Sequence, residues 1–287
     1  MSNRNAKRRA AGASQAPPPA SMPLNISTTN SLLNFAVPTE IVDLPSKGLF
    51  YPEGSPLYGK DNIEIRFMTA KDEDILTSPS LLKKGVAIDR LLQSVIIDEN
   101  INAKDLLVGD RNALMYAVRI TGYGAAYEAQ ATCNMCGSDN DINFDLSKYT
   151  DHYSMPETTS DIQINSNGTF SVDLPVTKIS VDVRFLTGHD EEKLTKSTQL
   201  KQKNSLPDSQ STDLLKSIVV SANGVEDPSQ LSEFLEAMPA ADSRFLRGVY
   251  SDMSPNVKFS QEMTCEHCEA DSEVDVPITT GFFWPEQ

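Results

Sequence analysis

The chain contains four cysteines, and all of them fall in two Cys-x-x-Cys pairs, Cys133 with Cys136 and Cys265 with Cys268. A Cys-x-x-Cys turn inside a hairpin aims two sulfurs at one point, and a tetrahedral zinc ion takes two such turns. A structural zinc held by Cys133, Cys136, Cys265 and Cys268 is therefore the leading expectation. Thiol redox chemistry, iron–sulfur ligation and unliganded thiols stand as alternatives. A thioredoxin-like pair would open a helix after a strand, and one pair would suffice. Here each pair lies between strand-like stretches: Tyr127 to Thr132 and Asp141 to Leu146, then Val257 to Thr264 and Ser272 to Ile278. Four cysteines also close the coordination shell, leaving no open position of the kind a catalytic zinc needs. Gly137 suits the left-handed backbone that such a turn often requires. His267, inside the second pair, reads as a solvated side chain, with replacement of a cysteine ligand the lesser alternative.

Other chemistry is sparse. The chain has three histidines (His152, His189, His267) and neither a glycine-rich phosphate loop nor a nucleophile elbow. Asp72-Glu73-Asp74 forms a carboxylate cluster, but at a helix start such acids complement the helix dipole. Gly122-Tyr123-Gly124 resembles half a dinucleotide fingerprint, yet it follows a helical stretch and reads as a turn. The expectation is a protein that is not an enzyme, with no catalytic and no cofactor-binding residues.

The 128 residues between Cys136 and Cys265 are too many for a compact zinc ribbon, so something else must bring the pairs together. An internal repeat does. Arg66-Phe67-Met68-Thr69 recurs as Arg184-Phe185-Leu186-Thr187, an offset of 118, which also carries Asp72, Glu73 and Leu76 onto Asp190, Glu191 and Leu194. Leu91-Leu92 and Ser94 match Leu214-Leu215 and Ser217 at an offset of 123, and Cys133 matches Cys265 at 132, which places Asp110 on Asp242 and Leu114 on Leu246. Insertions of five and nine residues explain the drift.

One unit runs from about Ile63 to Leu146 and the other from about Ile179 to Thr279. In each, an alternating strand (Ile63, Ile65, Phe67; Val181, Val183, Phe185) leads to a threonine with an acid three positions on, a helix-opening signature: Thr69 with Asp72, Thr187 with Asp190. Amphipathic helices follow, marked by Ile88, Leu91, Leu92, Val95 and Ile96, and by Leu214, Leu215, Ile218 and Val219. The expected fold is α+β: two tandem pseudo-symmetric repeats of strand, helices and zinc-knuckle hairpin, sharing one zinc-ribbon-like site.

The organisation expected from this is a disordered tail over residues 1–37, an extended proline-, glycine- and aromatic-containing segment over 38–62, repeat one over 63–147, a linker or hairpin over 148–178, and repeat two over 179–287 with an aromatic end. The tail reading rests on Pro17-Pro18-Pro19 and on the lack of Leu, Ile, Val or aromatic residues before position 24. Leu44 to Tyr58 interleaves apolar anchors with prolines and glycines, which excludes a regular helix or central strand and suits a segment packed along its own domain. Phe282-Phe283-Trp284-Pro285 is expected either to dock on the core or to insert into a neighbouring subunit.

Net charge is −15, and Arg4, Lys7, Arg8 and Arg9 precede the first acid, Glu40, so the remainder is more acidic still. Lys and Arg are missing between Arg119 and Lys148 and after Lys258, while Glu266, Glu269, Asp271, Glu273 and Asp275 surround the second knuckle. Such a surface repels phosphate backbones, which disfavours nucleic acid as a partner. The N-terminus lacks the apolar stretch of a secretory signal and no run of eighteen apolar residues occurs, so a soluble protein in a reducing cytoplasm, with no membrane partner, is expected.

Leu44-Pro45-Ser46-Lys47-Gly48-Leu49-Phe50-Tyr51-Pro52, the paired Cys-x-x-Cys knuckles and Phe282-Phe283-Trp284-Pro285 resemble the baseplate hub and tail-assembly proteins of T4-like contractile-tailed bacteriophages, over about Glu40 to Gln287. The resemblance implies a hub subunit or an assembly factor acting on other baseplate hub or tape-measure proteins, located in the host cytoplasm during assembly or in the virion tail baseplate. A cytoplasmic zinc-ribbon adaptor or regulator that binds protein partners is the alternative from a different class.

Overall fold

The computed structural model describes residues 37–154, 164–205, 207, 209–278 and 280–283. The tail expected over residues 1–37 lies outside them except for Val37, as do Trp284 and Pro285. The fold is α+β, with small antiparallel sheets.

Strand β1 (Thr39–Asp43) pairs antiparallel with β2 (Asn62–Arg66). The sequence suggests β2 but not β1, because Ile41 and Val42 are adjacent and give no period-two pattern. Ile41 points to solvent and Val42 into the core. Between the strands, residues 44–61 run as successive turns, with Leu44, Phe50, Tyr51 and Leu57 buried and Leu49 and Tyr58 exposed. Ser46 and Tyr51 fix this strap. The Ser46 amide and hydroxyl donate to Oδ1 and Oδ2 of the fully buried Asp110 at 2.9 and 2.6 Å, and the Tyr51 hydroxyl donates to Oδ2 at 2.7 Å. Gly48, at φ +71, could carry no side chain, since a Cβ would stand 2.4 Å from the Lys60 nitrogen.

Helix α1 (Ala70–Thr77) starts at Thr69, whose amide and hydroxyl both donate to Asp72 Oδ2, at 2.8 and 2.7 Å. Pro79 then forces a new start, α2 (Pro79–Lys84), which ends at Gly85 in the left-handed conformation. Helix α3 (Ala87–Val95) buries Leu91, Leu92 and Val95, and α4 (Val108–Tyr123) is buried along much of its length. A hairpin of β3 (Ala126–Thr132) and β4 (Asp139–Asp145) carries the first cysteine pair. After a 3-10 turn, β5 (Tyr153–Ser154) pairs with β9, introduced below.

The later part repeats these steps locally. Strands β6 (Phe170–Asp173) and β7 (Ser180–Val183) pair antiparallel, and Leu174-Pro175 follows β6 as Leu44-Pro45 follows β1. Helix α5 (Gly188–Lys203) starts at Thr187, whose amide and hydroxyl donate to Asp190 at 3.1 and 2.9 Å. Helix α6 (Gln210–Ile218) is followed by β8 (Val219–Ala222), which pairs with β7. Helices α7 (Pro228–Ala237) and α8 (Ala240–Met253), β9 (Asn256–Val257) and the hairpin of β10 (Ser260–Thr264) and β11 (Asp271–Asp275) complete the described chain, with a 3-10 turn at Thr280–Phe282. Residues 148–178, expected as linker or hairpin, thus contribute β5 and β6.

One contiguous apolar core joins residues from Val42 to Phe283. Phe50 meets Phe185 edge-on at 4.7 Å. Phe282 and Phe283 are buried, and Phe282 lies edge-on to Tyr116 and Tyr127 at 5.4 and 5.2 Å, so this part of the aromatic end docks on the chain's own core. Among the described residues no helix is long and apolar enough to cross a membrane.

Candidate metal centre

The two cysteine turns are built alike. In the first hairpin Thr132 pairs with Asp139, and the Thr132 hydroxyl donates to that carboxylate at 2.7 Å; in the second, Thr264 and Asp271 do the same at 2.7 Å. The Cys133 amide donates to the Ser138 carbonyl and the Gly137 amide to the Cys133 carbonyl, at 2.8 and 2.9 Å. Cys265 with Ala270 and Glu269 makes the matching pair of bonds, both 2.9 Å. The amides of Met135 and His267 donate to Cys133 Sγ and Cys265 Sγ, each at 3.4 Å. The left-handed position is filled by Gly137 at φ +75 and by Glu269 at φ +57. A glycine announces that conformation in a sequence; a glutamate does not.

The four sulfurs lie within 4.8 Å of one another. Cys133 Sγ stands 3.8 Å from Cys268 Sγ, and Cys136 Sγ 3.6 Å from Cys265 Sγ. A disulfide would need about 2.0 Å, whereas the edge of a tetrahedron with metal–sulfur bonds near 2.3 Å is about 3.8 Å. The donor set therefore fits a single four-coordinate metal ion. Cys133 and Cys265 are buried, while Cys136 and Cys268 face outward.

Asn140 ties the turns together. Its side-chain oxygen accepts the Glu266 amide from the other hairpin at 2.9 Å, and its nitrogen donates to the Ser138 carbonyl at 3.0 Å. Asn134 reaches the Glu273 carbonyl at 3.3 Å. Asn140 escapes the reading of the sequence, although it stands in the inward phase shared by Ile142 and Phe144, where a polar residue signals a buried bond.

Backbone amides of Cys268 and His267 pull the Cys265 thiol down to about 6. The Ser138 hydroxyl and amide likewise lower Cys136. Cys268 moves the other way, to about 12: the Ala270 amide lowers it, but the Cys136 thiol, burial and the other two sulfurs outweigh that. Neither turn holds a lysine or arginine, so a divalent cation is the natural counter-charge for thiolates in this cluster.

The remaining sequence candidates lie elsewhere. His152 packs edge-on against Phe259 at 4.5 Å, His189 faces Asp105 at 3.2 Å, and His267 is exposed. Gly122 and Tyr123 form the end of α4 and Gly124 caps it at φ +85, so the stretch expected as a turn is a helix C-terminus. Asp72 does more than complement a dipole. It is buried and takes a bidentate pair from Arg66 at 2.6 and 3.0 Å, plus the Ser94 hydroxyl at 2.7 Å. Asp190 takes the equivalent pair from Arg184 at 2.7 and 2.9 Å. Arg119, also buried, donates to the carbonyls of Gly124 and Ala126 at 2.8 and 3.2 Å and so fixes the entry to the first hairpin.

Fold and cluster together describe an α+β protein with a four-thiol centre able to hold a metal ion. The model of the family described as T4 bacteriophage base plate protein matches residues 39–284, and the chain belongs to that family of phage structural proteins. Neither a curated protein nor a solved structure gives a match.

Proposed function

We propose that this chain is a non-enzymatic component of the phage baseplate hub, a subunit or an assembly factor for other hub or tape-measure proteins, whose two halves are tandem repeats clasped by one structural zinc ion. The single observation that carries the zinc is the convergence of Cys133, Cys136, Cys265 and Cys268 to within 4.8 Å. Family membership favours the baseplate over a cytoplasmic adaptor. Thiolates select zinc over hard cations, and four of them leave no vacant position for substrate.

The repeat reading has several supports. Exchanging the two halves carries the Cys133–Cys268 contact onto Cys265–Cys136, as a local two-fold requires. The Arg66–Asp72 and Arg184–Asp190 pairs match, as do Asp110 and Asp242, both buried in the first turn of a long helix. The five-residue drift falls where Pro79 splits α1 from α2 while α5 runs on, and the nine-residue drift falls where α7 stands.

Quantitative mass spectrometry of infected lysate, hub-containing intermediates and purified tails tests the role. We expect the chain in hub-containing intermediates. Presence in tails as well identifies a subunit, and loss on maturation identifies an assembly factor. Absence from both fractions, with the protein abundant in lysate, overturns the hub reading.

A further inference from the structure

We propose that the outer face of the β1–β2 strip is a docking site for a second copy of this chain, received through the Leu82-Lys83-Lys84 end of α2. Glu64 of β2 stands opposite Ile41 of β1. On its other side Ile65 bridges Ile96, and the Ile97 amide donates to the Glu64 carbonyl at 3.2 Å. Ile41, Glu64 and Ile97 therefore form one cross-strand row, on the face opposite the buried Ile63, Ile65 and Ile96. Ile41 is 65% and Ile97 42% exposed. Glu64 is exposed too, and its carboxylate has no hydrogen bond or ion pair among the described residues. A groove of about 390 Å³ is lined by Glu64 and Ile97 together with the paired Lys60 and Asp98.

The other sheet supplies a control within the same molecule. There the row is Ser171, Asp182 and Ser221, and both serine hydroxyls donate to the Asp182 carboxylate at 2.6 Å. That row satisfies itself. The Ile41–Glu64–Ile97 row instead presents an unpaired carboxylate between two aliphatic side chains, and its complement is a cation beside an aliphatic side chain.

An exposed cation next to an exposed apolar side chain also occurs at Lys47–Leu49, Val176–Lys178 and Arg244–Phe245, but among the described residues only the end of α2 sets two adjacent lysines beside one. Leu82 is exposed, and Lys83 and Lys84 are exposed with no ion pair among the described residues. The similar Leu200-Lys201 of α5 is less suited, because Lys201 already binds Asp213. The contact joins unlike surfaces, so each copy keeps one of each free and the product is a ring or an open chain. With so few side chains engaged, each contact is weak, with a dissociation constant on the order of 10–100 µM.

Sedimentation velocity of the full chain from about 5 to about 500 µM tests this. The weight-average sedimentation coefficient should rise with concentration. The variant Ile41→Ser/Glu64→Asp/Ile97→Ser, which copies the self-satisfied row, should stay monomeric at an unchanged melting temperature. Glu64→Lys and Lys83→Glu/Lys84→Glu should each abolish association alone, and their equimolar mixture should regain at least tenfold tighter association than either by itself. A constant coefficient for the unaltered chain, association that survives in the triple variant, or a mixture that stays monomeric overturns the proposal.

Discussion

Asp110 and Asp242, 132 residues apart, share one setting: each is a fully buried carboxylate in the first turn of a long helix that receives a backbone amide from the segment after a Leu-Pro pair. Asp242 accepts the amides of Val176 and Thr177 at 2.8 and 3.0 Å. Burial holds Asp110 above the usual carboxylate range despite its Ser46 and Tyr51 donors, while the two amides hold Asp242 below it against burial. Asp110→Ala strands three buried donors and should cost about 3 kcal/mol, with Asp242→Ala costing about 2 kcal/mol. Urea unfolding of both variants measures this. A loss under about 0.5 kcal/mol at Asp110 would show that the strap is not held there.

The two Arg–Asp pairs predict acid sensitivity. Burial alone would raise Asp190, but the Arg184 guanidinium and the Thr187 amide and hydroxyl overcome it and hold Asp190 at about 2. Asp72 is held lower still: burial again opposes, and Arg66, Ser94 and Thr69 prevail. A carboxylate depressed in the fold contributes stability that is complete above its unfolded pKa near 3.9 and is lost as pH falls through the folded value. Arg184→Met should thus cost about 2 kcal/mol at pH 7, and the gap from the unaltered protein should shrink between about pH 4 and pH 2. Denaturant melts across that range check the sign. A gap that widens toward low pH contradicts the assignment.

The cysteine cluster predicts stoichiometric metal. Protein purified without chelator should carry one zinc per chain by elemental analysis, and stripping it should lower the melting temperature by at least about 10 °C, because ligation and folding are linked. Cys133→Ser and Cys265→Ser should do comparable damage. Unstripped protein with less than about a tenth of an equivalent of zinc would sink the proposed clasp.

The left-handed turn residues predict opposite effects of glycine. Gly137→Ala meets no neighbouring atom within 4 Å, so its cost of about 1 kcal/mol comes from φ +75 alone. Glu269→Gly removes the same strain and should be neutral to about 1 kcal/mol stabilising. Paired thermal melts decide. Marked destabilisation by Glu269→Gly would mean that the glutamate side chain matters more than its backbone.

What the sequence disclosed was local or spaced by repetition. The cysteine pairs, the Thr69 and Thr187 helix starts and the α3 and α6 stripes each rest on residues a few positions apart. What it hid depends on partners far along the chain. Ser46 meets Asp110 across 64 positions, and Asn140 receives the Glu266 amide across 126. No short-range pattern announces such bonds. Arg66 and Asp72 are only six apart, yet their pairing needs a strand and a helix to meet at Thr69. β1 gives no alternating pattern because its outward residue, Ile41, is apolar and stands next to the buried Val42.

The span between the two cysteine turns also has a consequence in time. A ribosome adding about 5–20 residues per second places Cys265 some 7 to 26 s after Cys133, so the first turn emerges with two thiols and no partners. Its hairpin must wait, with two of the four thiols of the cluster, while α5 to α8 are translated behind it. Phe282, which packs on Tyr116 and Tyr127, and Phe283, which packs on Phe282, come later still. The cluster therefore closes late in synthesis, and a product whose synthesis stops before Cys265 lacks both the second cysteine pair and the Phe282 contacts. Closure of the four-thiol cluster thus waits until translation has passed residue 268.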